Sequence, residues 1–229
     1  SKDQGVLSIM YHRFDENKYP STSIQMDIFI KHMQIIKDLN YEFIHPENFQ
    51  NDFNIPKKQK KILITIDDAF KSFYEVAWPF LKKNKIPFIL FVSTEPVGNK
   101  GYMTWDQINE VNNEKFAVIG HHSHSHEYLI EWSNEDFIND IETANQIFKK
   151  KIGYVPKLFS YPFGEYSEFM RKYISNAAKT PDTQTEVPSK VLKVPFSIIL
   201  IYSGVADLGK VYPITSAAVA IEFRCSMGT

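Results

Sequence analysis

The sequence predicts an α/β domain whose strands run parallel in a sheet or barrel. Three observations predict it. Short apolar runs alternate with stretches of helical periodicity. The polar residues able to carry chemistry cluster where the apolar runs end. The chain, at 229 residues, is long enough to bury one large core.

The elements follow in order. Residues 6–11 read as a short buried strand. Met26, Phe29, Ile30, Met33 and Ile36 recur at helical spacing, with Ser23 as the cap and Asn40 as the stop. Residues 41–44 form a second strand and 62–66 a third. A helix follows with Phe70, Phe73, Val76, Phe80 and Leu81 on one face. Residues 87–92 and 117–120 give a fourth and a fifth strand. Ser133 caps a helix whose apolar positions are Phe137, Ile141, Ala144 and Phe148, and Asp136 completes a capping-box-like start. Residues 158–161 make a sixth strand. In parallel α/β folds the chemistry sits where strands end and loops begin. Four polar clusters fall at such ends: Tyr11-His12-Arg13, Asp67-Asp68, the run from His121 to His126, and Pro162-Phe163-Gly164.

Composition excludes several classes. Hydrophobic residues make 43% and charged residues 23%, as in ordinary soluble domains. The net charge is -1, and the densest like-charge block, Lys57-Lys58-Gln59-Lys60-Lys61, reads as a solvated approach to a strand. No basic footprint for nucleic acid is present. The single cysteine, Cys225, excludes an intramolecular disulfide and leaves the compartment open. No apolar run approaches the roughly 18 residues of a transmembrane helix. The chain starts Ser1-Lys2-Asp3 without methionine, as a processed chain or a fragment does, so a removed signal peptide is compatible with it. Residues 177–229 contain no asparagine and no histidine, although all 7 histidines precede them. One domain spanning 1–229 is expected, with 177–229 as a diverged part.

Two motifs carry the chemistry. In Thr65-Ile66-Asp67-Asp68-Ala69-Phe70 two carboxylates close a buried strand. Strand neighbours point apart, but a bend at the strand end brings both to one site in different surroundings, one binding a cation and one free as a base. The alternative is an acidic helix start favoured by the macrodipole. In Gly120-His121-His122-Ser123-His124-Ser125-His126 four histidines fall within six residues, between a strand and a helix. His122 and His126, four apart, place two imidazoles on one turn. On spacing alone His121 and His124 compete with them, and a surface cluster without a ligand is the alternative. One carboxylate with two imidazoles leaves positions open for water and substrate, the layout of a hydrolytic metal site.

The ordered set Asp67-Asp68, His122-Ser123-x-x-His126 and Tyr161-Pro162-Phe163-Gly164, with Met10-Tyr11-His12 and Trp105-Asp106, resembles the successive motifs of the polysaccharide deacetylases over about residues 6–176. The resemblance implies a distorted (β/α)7 barrel, incomplete at its C-terminus in this chain if 177–229 does not belong to it. It implies a divalent metal, usually zinc, on Asp68, His122 and His126. It implies Asp67 as the base, Ser123 as a brace for the histidine loop, and the backbone N–H of Phe163 at the oxyanion. The substrate implied is an N-acetylated polysaccharide, and the location the cell envelope or exterior. Trp105, Tyr161, Pro162, Phe163 and Tyr166 are expected at the substrate, or as core and rim residues.

Three positions depart from the family pattern. Ala69 stands where glycine is common. Ser160 stands where many members carry an arginine directed at the base. No histidine follows His126, although many members supply a late one as general acid. Tyr202 and His12 are the remaining donor candidates, and a tyrosine, with an ordinary pKa of about 10, is a poor acid near neutrality. Low or absent activity is therefore expected. Two other readings stay open: a carbohydrate-binding domain that keeps its metal without turnover, and an amidohydrolase of this fold acting on a small amide.

Overall fold

The computed structural model describes residues 6–48 and 60–177. The chain runs β1 (Leu7–Tyr11), β2 (Arg13–Phe14), β3 (Ser23–Ile24), α1 (Met26–Asp38), β4 (Glu42–Phe43), β5 (Lys61–Ile66), α2 (Trp78–Asn84), β6 (Phe88–Val92), α3 (Trp105–Asn112), β7 (Ala117–His121), α4 (Asn134–Ile152) and α5 (Glu168–Ala177). Residues 198–202, whose apolar run could make a further strand, lie outside the described residues, Tyr202 among them, as does Cys225.

β1, β5, β6 and β7 pair in that order, all parallel, and β4 also pairs with β5. Parallel neighbours need crossovers, and α2 and α3 supply them between β5, β6 and β7. The order continues past β7 by one bridge from His121 to Phe159. There the Leu158 carbonyl accepts the His121 N–H at 2.7 Å and the His121 carbonyl accepts the Ser160 N–H at 2.9 Å. The expected α/β class and parallel sheet are thus present; among the described residues the sheet stays open. The sixth strand shortens to that bridge, because Pro162 and the turn it starts follow at once.

Period-two alternation sorts the strand side chains onto two faces. Ile62, Ile64, Ile66, Phe88, Leu90, Val92, Ala117 and Ile119 join one large core with Phe29, Met33, Ile36, Leu81 and Ile108. Leu63, Ile89 and Phe91 face the other way and pack with Ile44 and Leu158. Both faces of β5 and β6 are buried, so these strands read as continuous apolar runs rather than alternating ones. A third cluster, Leu129, Phe137, Ile141, Phe159, Tyr161, Met170 and Ile174, sits under α4 and α5.

Two helix expectations need correction. Ser23 lies in β3; α1 begins after Gln25, whose side chain makes no cap bond, and the Asp15 Oδ1 accepts the Met26 N–H at 2.8 Å instead. The helix after β5 does not run evenly from Phe70. It starts at Lys71 and widens into a π-turn at Phe73–Ala77 before α2, because Pro79 in the first turn of α2 has no N–H to continue a regular ladder. The cap at Ser133 is as expected: its Oγ accepts the Asp136 N–H at 3.1 Å. Among the described residues no helix is long and apolar enough to cross a membrane.

Candidate active site

β5 delivers the carboxylates. Asp67 follows Ile66 on the face of Leu63 and Thr65, and its N–H is held by the Tyr11 carbonyl at 2.9 Å. Asp68 and Ala69 then take positive φ, 71° and 51°. Two successive left-handed residues turn the chain sharply, so Asp68 does not point away from Asp67 as a strand neighbour would. The Ala69 carbonyl accepts the Met103 N–H at 2.9 Å, which pins the turn. This is where glycine, free at positive φ, is the easier residue.

β7 delivers the histidines, and its alternation decides which of them face the carboxylates. His121 continues the Ala117 and Ile119 face, toward α4. Its ring lies 5.0 Å from the rings of Phe148 and Phe159, and burial holds its pKa down to about 3. His122 turns to the opposite face, over Phe91. Its Nε2 lies 3.4 Å from Asp68 Oδ1 and 3.9 Å from Asp67 Oδ2. His126 Nε2 reaches the same Asp68 oxygen at 2.9 Å. His124 is drawn off by Thr94, whose Oγ1 lies 2.7 Å from its Nδ1. Ser123, at φ 69°, accepts the His126 N–H on its Oγ at 3.1 Å.

Asp68, His122 and His126 therefore offer one oxygen and two nitrogens within 4.8 Å of one another. A test of whether a cation fits comes from His122. Its Nδ1 lies 2.8 Å from the Ser160 carbonyl, which can only accept, so Nδ1 carries the hydrogen. A neutral His122 then presents the Nε2 lone pair to a carboxylate oxygen. Two acceptors then face each other at the buried Asp68 Oδ1. A proton or a metal ion resolves that opposition, and an oxygen–nitrogen–nitrogen donor set suits a divalent metal.

The carboxylates differ electrostatically. Burial raises the Asp67 pKa, with His122 and His12 opposing it. Burial also acts on Asp68, but the close approach of His122 and His126 outweighs it and holds that carboxyl below the ordinary range. His122 is raised because Asp68 and Asp67 overcome the desolvation that would lower it. Asp67 keeps one buried oxygen, Oδ1, without a hydrogen bond, while Ser160 Oγ approaches its Oδ2 at 3.5 Å. A serine hydroxyl thus stands beside the base candidate.

The other expected residues separate. Phe163, at φ 59°, is 63% exposed and its ring lies 5.2 Å from that of His126. Tyr128 stands 5.6 Å from Phe163 and donates to Glu165. Tyr161 and Pro162 are buried, Tyr161 stacking on Tyr166 at 5.1 Å. Trp105 starts α3 and packs edge-on to Phe148 at 6.0 Å, against the main core. Trp105 is half-buried there. The reading from spacing overlooked Thr94, which occupies His124, and the Ser160 carbonyl, which sets the tautomer of His122. Carrying the β7 alternation one residue further separates His121 from His122.

The polysaccharide deacetylase family model matches residues 54–181. YxkH of Bacillus subtilis, named for polysaccharide deacetylase activity, is 25% identical over 162 residues, which cover 70% of this chain and 57% of YxkH. The poly-beta-1,6-N-acetyl-D-glucosamine N-deacetylase of Staphylococcus aureus is 23% identical, covering 71% of this chain and 66% of that protein. This chain thus spans less than two thirds of either relative. Among solved structures, IcaB from Ammonifex degensii superposes with a TM-score of 0.69 at 25% identity, over 76% of this chain and 81% of IcaB. The deacetylase PplD of Streptococcus pyogenes shares the fold, with a TM-score of 0.66 at 22% identity over 75% and 79%. With more than half its length matched, and the motifs of that match converging at one end of the sheet, the chain belongs to the polysaccharide deacetylase family.

Proposed function

We propose that this chain is a divalent-metal-dependent hydrolase that removes acetyl groups from N-acetylated sugars of a polysaccharide. The observation that carries the reading is the meeting of Asp68, His122 and His126 beside the unpaired Asp67 Oδ1. Asp68, His122 and His126 hold the metal, and zinc fits the donor set. Bound there, the ion supplies Lewis acidity to the acetyl carbonyl and acidifies water.

Asp67 takes the proton of the attacking water; burial keeps this carboxyl basic enough to hold it. The water oxygen bonds to the acetyl carbon, the carbon–nitrogen bond breaks, and acetate and a free amine leave. The Phe163 N–H is assigned to the developing oxyanion. His12, which faces Asp67 electrostatically, and the protonated Asp67 itself are the groups at hand to protonate the amine. Ser123 braces the loop through the His126 amide. The exposed Phe163 ring offers a stacking surface for a sugar. The polymer to try first is the β-1,6-linked N-acetylglucosamine named for the Staphylococcus relative. A location outside the cytoplasm goes with such a substrate.

A second reading, metal binding without turnover, draws on the absence of any histidine after His126. One experiment separates the two: acetate release from N-acetylglucosamine oligomers with zinc, with chelator, and by Asp67→Asn. The proposal expects zinc-dependent release, and a loss of about 10²–10⁴-fold in Asp67→Asn with zinc binding retained. Stoichiometric zinc with no release from any N-acetylated oligomer supports the binding reading.

A further inference from the structure

We propose that Asp140 is a positioning residue for the metal centre, holding the segment between its two histidines through two main-chain amides. The inference rests on the metal reading above. Asp140 lies in α4 among Phe137, Ile141 and Ala144, and is only 5% exposed. An acid on an apolar helix stripe is costly unless its oxygens are satisfied. Here Oδ2 accepts the His124 N–H at 2.7 Å and Oδ1 accepts the Ser125 N–H at 3.0 Å. Asp140 is not itself in the Asp68, His122, His126 group.

Those two amides lie midway between His122 and His126. The first end of the segment belongs to the sheet: the His122 N–H donates to Val92 at 3.0 Å, and Ser93 Oγ donates to the His122 carbonyl at 2.5 Å. The opposite side of the loop is tied to the end of β6, through the Thr94 N–H to the Ser123 carbonyl and the Glu95 N–H to the His124 carbonyl, at 3.3 and 3.0 Å. Asp140 is the clamp from the helix side. It holds a loop whose Ser123 and His126 sit at φ 69° and 59°, backbone states that persist only when the surroundings enforce them. Releasing the clamp frees the loop to relax, and His126, one residue past Ser125, moves away from the Asp68 oxygen it approaches at 2.9 Å.

Asp140→Asn keeps the size but sets an amide NH2 against one of the two N–H donors, so one bond is lost and two donors oppose each other. The test is zinc affinity by competition with a chromophoric chelator on the 229-residue chain, alongside the thermal midpoint of the metal-free protein. Asp140→Asn is expected to bind zinc about tenfold to hundredfold more weakly, the usual size of an outer-partner effect. Asp140→Glu, which keeps a carboxylate, is expected to fall between Asn and wild type. A lowered midpoint with unchanged zinc affinity in Asp140→Asn overturns the proposal and leaves Asp140 as scaffold. If Asp140→Asn does not fold, Asp140→Glu decides: weakening of at least about threefold supports the proposal, and wild-type affinity overturns it. His122→Ala and His124→Ala are the controls. A wild-type chain that binds no zinc, or equal losses in both controls, sinks the metal reading and this inference with it. Wild-type binding lost only in His122→Ala, with Asp140→Asn unaffected, sinks this inference alone.

Discussion

Along β5, β6 and β7 the backbone is regular and almost every side chain is buried, whereas the loops leaving β5 and β7 carry Asp68, Ala69, Ser123 and His126 at positive φ. The strands gain stability from packing and tolerate no added volume. The loops carry backbone strain, and in return bring neighbouring acids and one histidine from each side of a turn to a single point. The difference teaches where each kind of damage belongs: a change in a strand should cost stability, and a change in a loop should cost ligand geometry.

The sharpest way to break the comparison is Gly120→Ala. Gly120 is in β7, and a Cβ there would lie 2.3 Å from Phe91 Cδ1 and 2.9 Å from Ile89 Cγ2. Both neighbours are fully buried and have nowhere to move. Denaturant unfolding should show a loss of about 3 kcal/mol, at the upper end of ordinary overpacking. A loss below about 1 kcal/mol would mean that the strand layer is softer than its burial suggests.

His121 gives the next effect, because it ends a strand and starts the loop. Its folded pKa is about 3, lowered chiefly by burial and then by His122, while an unfolded imidazole titrates near 6.5. The folded state keeps the ring neutral. Its contribution is therefore complete above about pH 6.5 and declines as the pH falls toward 3, at about 1.4 kcal/mol per pH unit. His121→Gln cannot titrate, so its stability should fall less steeply than wild type between about pH 6 and 4. Parallel curves for the two proteins would show that His121 titrates as freely folded as unfolded.

The smallest expected effect contrasts two buried alanines. Ala144 lies within α4, and Ala144→Gly should cost about 1 kcal/mol from helix propensity, plus the lost methyl contact. Ala69 sits at φ 51°, where glycine relieves the strain that its lost side chain and looser unfolded chain otherwise offset. Ala69→Gly should fall within about 1 kcal/mol of wild type by thermal unfolding. Equal losses at the two positions would remove the distinction between strained loop and regular helix.

The same contrast explains what was legible in the sequence. The buried strands were readable because a run such as Ile62-Leu63-Ile64 is apolar on both faces and rich in β-branched isoleucine. α4 was readable because Ser133 and the spacing from Phe137 to Phe148 agree on one helix. Boundaries failed where a cap came from far away, as Asp15 serves α1. At the site, Asp67-Asp68 and the histidine run were visible as residue types, but their convergence depends on left-handed turns at Asp68 and Ala69, which neither residue type announces. Asp140 was not legible: the helix pattern picks out Phe137, Ile141, Ala144 and Phe148, and nothing in the spacing shows that the acid among them is buried. The exposed Phe163 and the core-packed Trp105 were indistinguishable until their neighbours were known.

The carbonyl that fixes the tautomer of His122 belongs to the main chain of residue 160. No side-chain replacement there can delete that acceptor. The orientation of the His122 lone pair therefore follows the path of the backbone and not the side chain at position 160. A substitution at 160 changes what stands beside Asp67 and leaves the acceptor of the His122 Nδ1 hydrogen in place.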